Sequence, residues 1–202
     1  MITDAVNIPL FPLHSVLYPG GPLPLRIFEA RYLDMLGMCL KSATPFGVLL
    51  IRSGSETGPA TTWEIGTLAR IVDWYQGSDG VLGVTAIGEQ RFRLVSSWQR
   101  VDGLNVGEID LLEQDPGVPL PDEYRSLARI LAGVLDDLGK LYEGLERHYD
   151  DAGWVAYRFA EILPIAAAEK QACLEIDDPL ARLELVCSVL DAGRGTVEQG
   201  PG

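Results

Sequence analysis

Three prolines within six residues, Pro116, Pro119 and Pro121, split this 202-residue chain into halves of different character. Proline at that density resists both helix and central strand and favours an extended connection. Before the joint, short β-branched and aromatic runs are punctuated by glycine and proline. After it, apolar residues recur at helical spacing. The division reads as a strand-rich unit over 1–115, a helical unit over 121–193 and a flexible tail over 194–202. At 202 residues the chain is long enough to bury a core without disulfides.

In the first unit, Asn7–Leu13 is an apolar run carrying Pro9 and Pro12, which predicts a strand at an edge or bend. Leu23–Phe28 and Phe46–Arg52 read as further strands. Glu29–Lys41 is the one helical segment, with Tyr32, Leu33, Leu36 and Leu40 forming its apolar stripe. Gly66–Gln76 and Val81–Ile87 flank Gly77-Ser-Asp-Gly80, a hairpin signal. Arg91–Trp98, with Phe92 and Leu94 facing in and Arg91 and Arg93 facing out, and Leu104–Leu112 complete a set that suggests a closed or half-closed β-barrel.

The second unit reads as a helical bundle. Its first helix starts at Pro121 and carries the stripe Tyr124, Leu127, Leu131, Val134, Leu138, Leu141 and Leu145. A second starts at the N-cap Asp151 and stops before Pro164, and a third covers Ala166–Leu174. A fourth begins at Asp178-Pro179, faces Leu180, Leu183, Val186, Cys187 and Leu190 inward, and stops at Gly193. The fold class is therefore α+β.

The net charge of −13 runs against nucleic acid and anionic membranes, which both require a cationic footprint. Both halves are acidic, −5 over 1–115 and −8 over 116–202, each from 8 basic residues against 13 and 16 acidic ones. Cys39, Cys173 and Cys187 lack CxxC spacing and read as reduced, buried side chains. No leader-like run opens the chain and no apolar stretch reaches membrane length, so a cytoplasmic location is expected. His14 reads as a turn residue and His148 as a charge near a helix end. Neither has ligand-spaced neighbours, so no metal site is expected. P-loop, GxGxxG and GxSxG motifs are absent, so no cofactor and no catalytic residue are assigned, and the chain is not expected to be an enzyme.

Unusual residues concentrate in the first third. Arg26, Glu29 and Arg31 sit at a strand-to-helix junction. They read either as an ion-paired corner or as a polar rim beside an apolar groove. Phe11, Leu13, Leu17 and Phe28 read as core. Trp74 and Tyr75 precede the acidic hairpin around Asp79.

Ile8–Leu13, Leu17–Gly20 and Pro24–Tyr32 together resemble the opening of the Lon protease N-terminal domain family. Gly66–Ile71, Asp79-Gly80, Gly88–Arg93, Leu163-Pro164, Glu169–Glu175 and Ala181–Leu185 continue the match in order, across residues 7–191. The resemblance implies a PUA-like β-barrel followed by a helical bundle, and a part in recognising unfolded or damaged protein substrates. Cereblon carries a domain of the same family. Lon's ATPase and serine–lysine protease lie beyond the matched region, so neither activity is implied for a stand-alone domain.

The resulting expectation is a non-catalytic module that binds exposed segments of unfolded or partner proteins in a groove between barrel and bundle. Arg26, Glu29, Arg31, Tyr32, Trp74 and Tyr75 are its candidate contacts. The competing readings are an adaptor docking on a protease or other machine, an RNA-binding PUA-like module, which the charge disfavours, and an unrecognised hydrolase.

Overall fold

A computed structural model describes residues 6–77, 79 and 81–197, with 192–197 as backbone only. In chain order the first half forms β1 (Val6–Leu13), β2 (Pro22–Ile27), α1 (Ala30–Ser42), β3 (Phe46–Gly54), β4 (Ala60–Thr62), β5 (Ile65–Gln76), β6 (Leu82–Gln99) and β7 (Asn105–Leu111). The second half forms a 3-10 turn (Asp122–Tyr124), then α2 (Arg125–Asp137), α3 (Lys140–Glu143), α4 (Ala152–Ile162), α5 (Ala167–Glu175) and α6 (Pro179–Val197). The whole is a mixed fold of one sheet system and one group of helices.

The long strand β6 is the spine of the sheet. β5 pairs along one edge of it, while β2 (against Leu82–Ile87) and β7 (against Phe92–Gln99) share the other. β7 continues to β1, β5 to β3, and β1 and β3 pair in parallel, so β1-β7-β6-β5-β3 hydrogen-bond as a closed ring. β6 merges the two strands expected from Val81–Ile87 and Arg91–Trp98, because Gly88 and a register shift let one strand bend instead of stopping.

β1 is not an edge strand. It meets β7 over Val6–Leu10 and β3 over Leu10–Leu13. Pro9 and Pro12 each lie where only one side of the strand is paired, which leaves room for the missing N–H. The apolar stripe of α1 is also rotated from expectation. Tyr32, Met35, Leu36 and Cys39 are buried, whereas Leu33 and Leu40 face out. That set follows i, i+3, i+4, i+7, and it packs on Phe11, Phe46 and Val84 inside the ring.

In the second half the single long helix expected from Pro121 to Leu145 is broken. Gly139 adopts φ +66 and ends the run, so Leu138 and Leu141 are exposed instead of joining a stripe. α4 is the central helix, with every residue from Ala152 to Ala160 buried. Asp151 caps it by accepting the Trp154 N–H at 2.6 Å, and Asp178 accepts the Leu180 N–H at 2.9 Å at the start of α6. α6 runs through Gly193 and Gly195 to Val197, since each helical glycine costs only about 1 kcal/mol and does not by itself stop a helix. The remainder of the expected tail, 198–202, lies outside the described residues.

The two halves interlock. The core around α4 includes Tyr18 and Ile65 from the strand half. The Tyr18 hydroxyl donates to the Lys170 carbonyl (2.8 Å), and the Gln171 amide donates to the Ile65 carbonyl (2.9 Å). Arg91, expected to face solvent, is buried. It donates to the carbonyls of Leu174 (2.8 Å) and Ile176 (3.3 Å) and pairs with Asp177 at 3.0 Å. Its stretch of β6 faces the helices, so the outward position of a lone sheet becomes an interior one. Arg182 pairs with Asp115 at 2.5 Å and lies over the Tyr157 ring at 3.8 Å. Arg158 donates to the Pro19 carbonyl (2.9 Å) and pairs with Glu161 at 3.0 Å.

Burial pushes the Glu161 carboxyl above the usual glutamate range, opposed by Arg158, the Tyr142 hydroxyl and Lys170. Arg158→Met removes the largest opposing charge and raises it further. The folded variant then keeps a proton that the unfolded chain releases just above about pH 4.3, so its stability falls as pH rises through that interval. Urea denaturation is expected to show a loss of about 3–5 kcal/mol near pH 7 and a smaller loss near pH 4.5.

Candidate functional site

The sheet and the helices do not close completely over one another. One face of β5 and β6 (Arg70, Asp73, Thr85, Ile87), with Val72 beside it, forms one wall of a cleft of about 570 Å³. Lys140, Leu141, Leu145 and Glu146, from α3 and the loop after it, form the other, and Gly20, His148 and Trp154 close one end. The break at Gly139 creates this cleft, because it turns α3 away from the line of α2 and presents Leu141 to the opening.

Two further hollows adjoin it. One, of about 350 Å³, lies between Pro19, Gly20, Asp115, Trp154 and Tyr157. The other, of about 920 Å³, is bounded by the extended segment Gly117–Leu120, the start of α2 and the loop before α4. His148 borders all three. It stands in the loop before α4, edge-on to Trp154 at 6.3 Å. The walls mix aliphatic and aromatic surface with both signs of charge. That lining suits a polypeptide better than a single small polar molecule.

Glycines pack the end of the cleft at Gly20. Gly20, at φ +70, accepts no ordinary side chain without strain, and its N–H donates to the Gly88 carbonyl at 2.7 Å. A Cβ on Gly88 would lie 2.1 Å from the Tyr18 carbonyl oxygen, and one on Gly21 would lie 2.8 Å from Glu161 Oε2. The segments Leu17–Gly21 and Gly88–Arg93 therefore meet at the joint between the halves.

The six candidate contacts fall into two groups, and none lines the cleft. Glu29, Arg31 and Tyr32 are architectural. Glu29 precedes α1 and pairs with Arg31 at 2.8 Å. Arg31 also donates to the carbonyls of Gly103 (3.0 Å) and Glu56 (3.1 Å). Tyr32 is 2% exposed and stacks on Phe11 at 4.0 Å. Glu29 and Arg31 form an ion pair at that corner, while Arg26 pairs with Asp79 instead. Phe28, expected in the core, is 68% exposed, because it follows the end of β2 and precedes the helix.

Arg26, Trp74 and Tyr75 are at the surface. Trp74 and Tyr75 are 60% and 56% exposed and, as neighbours on a strand, point to opposite faces. Tyr75 lies across Gly83 and joins Arg26, Asp79 and Val81 around a hollow of about 360 Å³. Arg26 pairs with Asp79. The Val81 N–H, and then Arg26, hold the Asp79 carboxyl below the usual aspartate range. Arg26, Gly83 and Tyr75 are cross-strand neighbours, as are Pro24, Thr85 and Asp73, so this hollow and the cleft lie along one sheet face.

The cleft residues that sequence reasoning passed over are Val72, Ile87, Leu141 and Trp154. Their signal is weak. Val72 and Leu141 read there as ordinary apolar positions of a strand and a stripe. Only the bulge after Ile71 and the break at Gly139 turn them outward. Among the described residues, no group of three or more His, Cys, Asp or Glu is placed to hold a metal.

The profile of the ATP-dependent protease La (LON) substrate-binding domain matches residues 7–192. The chain belongs to the Lon substrate-binding domain family. Lon protease 2 of Myxococcus xanthus is 28% identical over 196 residues, which cover 93% of this chain and 24% of that protein. The protein cereblon of Danio rerio is 30% identical over 125 residues, 60% of this chain and 28% of that one. The crystal structure of a Lon N-terminal domain protein from Xanthomonas campestris is 39% identical. It superposes with a TM-score of 0.75, covering 91% of this chain and 98% of that one. The N-terminal domain of the Mycobacterium avium complex Lon protease shares the fold at 16% identity and a TM-score of 0.61. The chain spans about a quarter of the length of the Lon proteases it matches.

The two groups of candidate residues separate on stability. Trp74→Ala with Tyr75→Ala is expected to change unfolding free energy by less than about 1 kcal/mol. Tyr32→Ala is expected to cost about 3–5 kcal/mol through a core cavity. Equilibrium denaturation of both variants checks the assignment.

Proposed function

We propose that this Lon-type domain is a non-catalytic recognition module that takes exposed segments of unfolded or partner proteins into the cleft between its two halves. The observation that carries the reading is the cleft itself: an elongated opening with apolar Val72, Ile87 and Leu141 on facing walls and charges at its rim. Membership of a substrate-binding family supports it. The strand ring is read as a PUA-like barrel over 1–115 and the helices as a bundle over 121–193. The partners are polypeptides and not nucleic acid, given the net charge of −13. A cytoplasmic location accords with helices none of which, among the described residues, is long and apolar enough to cross a membrane.

Fluorescence anisotropy with a labelled, permanently unfolded protein, and its folded form as control, tests this directly. Saturable binding at micromolar concentration to the unfolded form alone is expected. Leu141→Glu places a charge on an exposed position of the cleft wall and is expected to weaken binding about tenfold with an unchanged melting temperature. Binding that survives Leu141→Glu moves the site off the cleft. Absence of binding to either form rejects client recognition and favours an adaptor, which a stoichiometric partner in a pull-down would identify.

A further inference from the structure

β5 continues beyond its partner. β3 begins at Phe46, opposite Ala69, so past that point one edge of β5 has no strand against it among the described residues. The five residues Val72–Gln76 are all exposed, although they pair with β6 on the other side. A strand whose consecutive residues are all exposed has neither face covered. Three of these five, Val72, Trp74 and Tyr75, are the residue types that favour strand pairing.

Such an edge is a template for another strand. Here it is guarded. The Trp74 N–H donates to the Asp73 carboxylate at 2.8 Å, a bond made by the neighbouring side chain. That carboxylate can approach only from the side that β6 leaves open. Asp73 thus occupies a donor that an incoming strand would need, and it also stands on the cleft wall. An incoming carbonyl that takes the Trp74 N–H frees the Asp73 carboxylate, which a cation on the incoming segment can then pair with. Asp79, farther along the same arm, is already paired with Arg26, but the chain as a whole is strongly acidic.

We infer that the open edge of β5 over Val72–Gln76 binds an extended, basic polypeptide segment by strand addition, with a lysine or arginine of the segment taking the Asp73 carboxylate as its backbone takes the Trp74 N–H. This rests on the proposed polypeptide-recognition role and names the class of segment recognised. Main-chain pairing supplies affinity, alternate side chains lie along Trp74 and Tyr75, and the cation sets the preference. Five residues of strand span about 17 Å, enough for a short segment.

The test uses a peptide of about seven residues alternating valine and lysine, its valine–glutamate counterpart, and the lysine peptide with alternate backbone nitrogens methylated. The lysine peptide is expected to bind at least about tenfold more tightly than the glutamate one and to slow hydrogen exchange at the Trp74 amide. The version methylated on the pairing nitrogens is expected to bind at least about tenfold more weakly. Asp73→Asn, which keeps an acceptor for the Trp74 N–H but loses the charge, is expected to reduce the lysine preference to about twofold. A Trp74 amide that exchanges equally fast with the lysine peptide bound at saturation overturns strand addition. An undiminished lysine preference in Asp73→Asn overturns the assigned charge partner. Either result, together with loss of unfolded-protein binding in Leu141→Glu, leaves the cleft reading standing while this one fails. Failure of both unfolded protein and peptide to bind removes both.

Discussion

Arg158 and Arg182 have no solvent exposure and Arg91 has almost none; Arg91 and Arg182 are each held by two main-chain carbonyls and a carboxylate, and Arg158 by the Pro19 carbonyl and Glu161, with its Nε and Nη1 left without a hydrogen bond. Burying a guanidinium costs several kcal/mol in lost hydration, and an ion pair offsets that only when the remaining donors are answered. Their acceptors come from Pro19, Cys173, Leu174 and Ile176, which no single secondary-structure element supplies. The rigid fork of each arginine therefore accepts one placement of its surroundings and rejects neighbouring ones. Apolar cores tolerate some sliding. These three side chains remove that freedom, and the cleft between the halves inherits its shape from them.

The glycines work with the arginines. Gly20 and Gly21 carry the chain past Trp154 and Arg158, and Gly88 lets β6 approach the Tyr18 carbonyl. Any larger residue at Gly88 would push the strand half away from the central helix and withdraw the Pro19 carbonyl from Arg158. The sequence segments that most resemble the Lon family are thus mainly the parts of a joint. Their residue types answer to docking one half on the other, and the surfaces that can meet a partner lie beside them, in positions with looser chemistry.

Local signals are legible in the sequence, and contacts between the halves are not. The order of strands then helices, the N-cap at Asp151, the start of α6 at Asp178-Pro179 and the turn around Asp79 are local signals, and each was legible. The rotated face of α1 was less so. Leu33 and Leu40 are as apolar as Met35 and Cys39, and only contact with the ring decides between them. Arg91 was misplaced because alternation describes a sheet with one wet face, while here the helices cover that face over part of β6. The lining of the cleft is not legible in the sequence. Nothing in the spacing of the stripe marks Gly139, whose positive φ breaks the helix and exposes Leu141. Tyr32 and Arg31 were drawn into the candidate site by their density near Arg26, although their partners, Phe11, Gly103 and Glu56, are distant in sequence.

An exposed strand with aromatic side chains is a hazard to any soluble chain, because a second copy offers the same edge and the same aromatics. Two features oppose that outcome. Asp73 occupies the Trp74 N–H, and a second copy would bring its own Asp73, along with the −13 charge of its chain, against like charge. The same arrangement discriminates among foreign strands. A neutral strand displaces Asp73 without offering it a cation, and an acidic strand adds repulsion. A basic strand displaces it and neutralises it in one step. Protection from self-association and preference for a cationic segment are therefore a single property of one carboxylate, placed where the neighbouring strand ends.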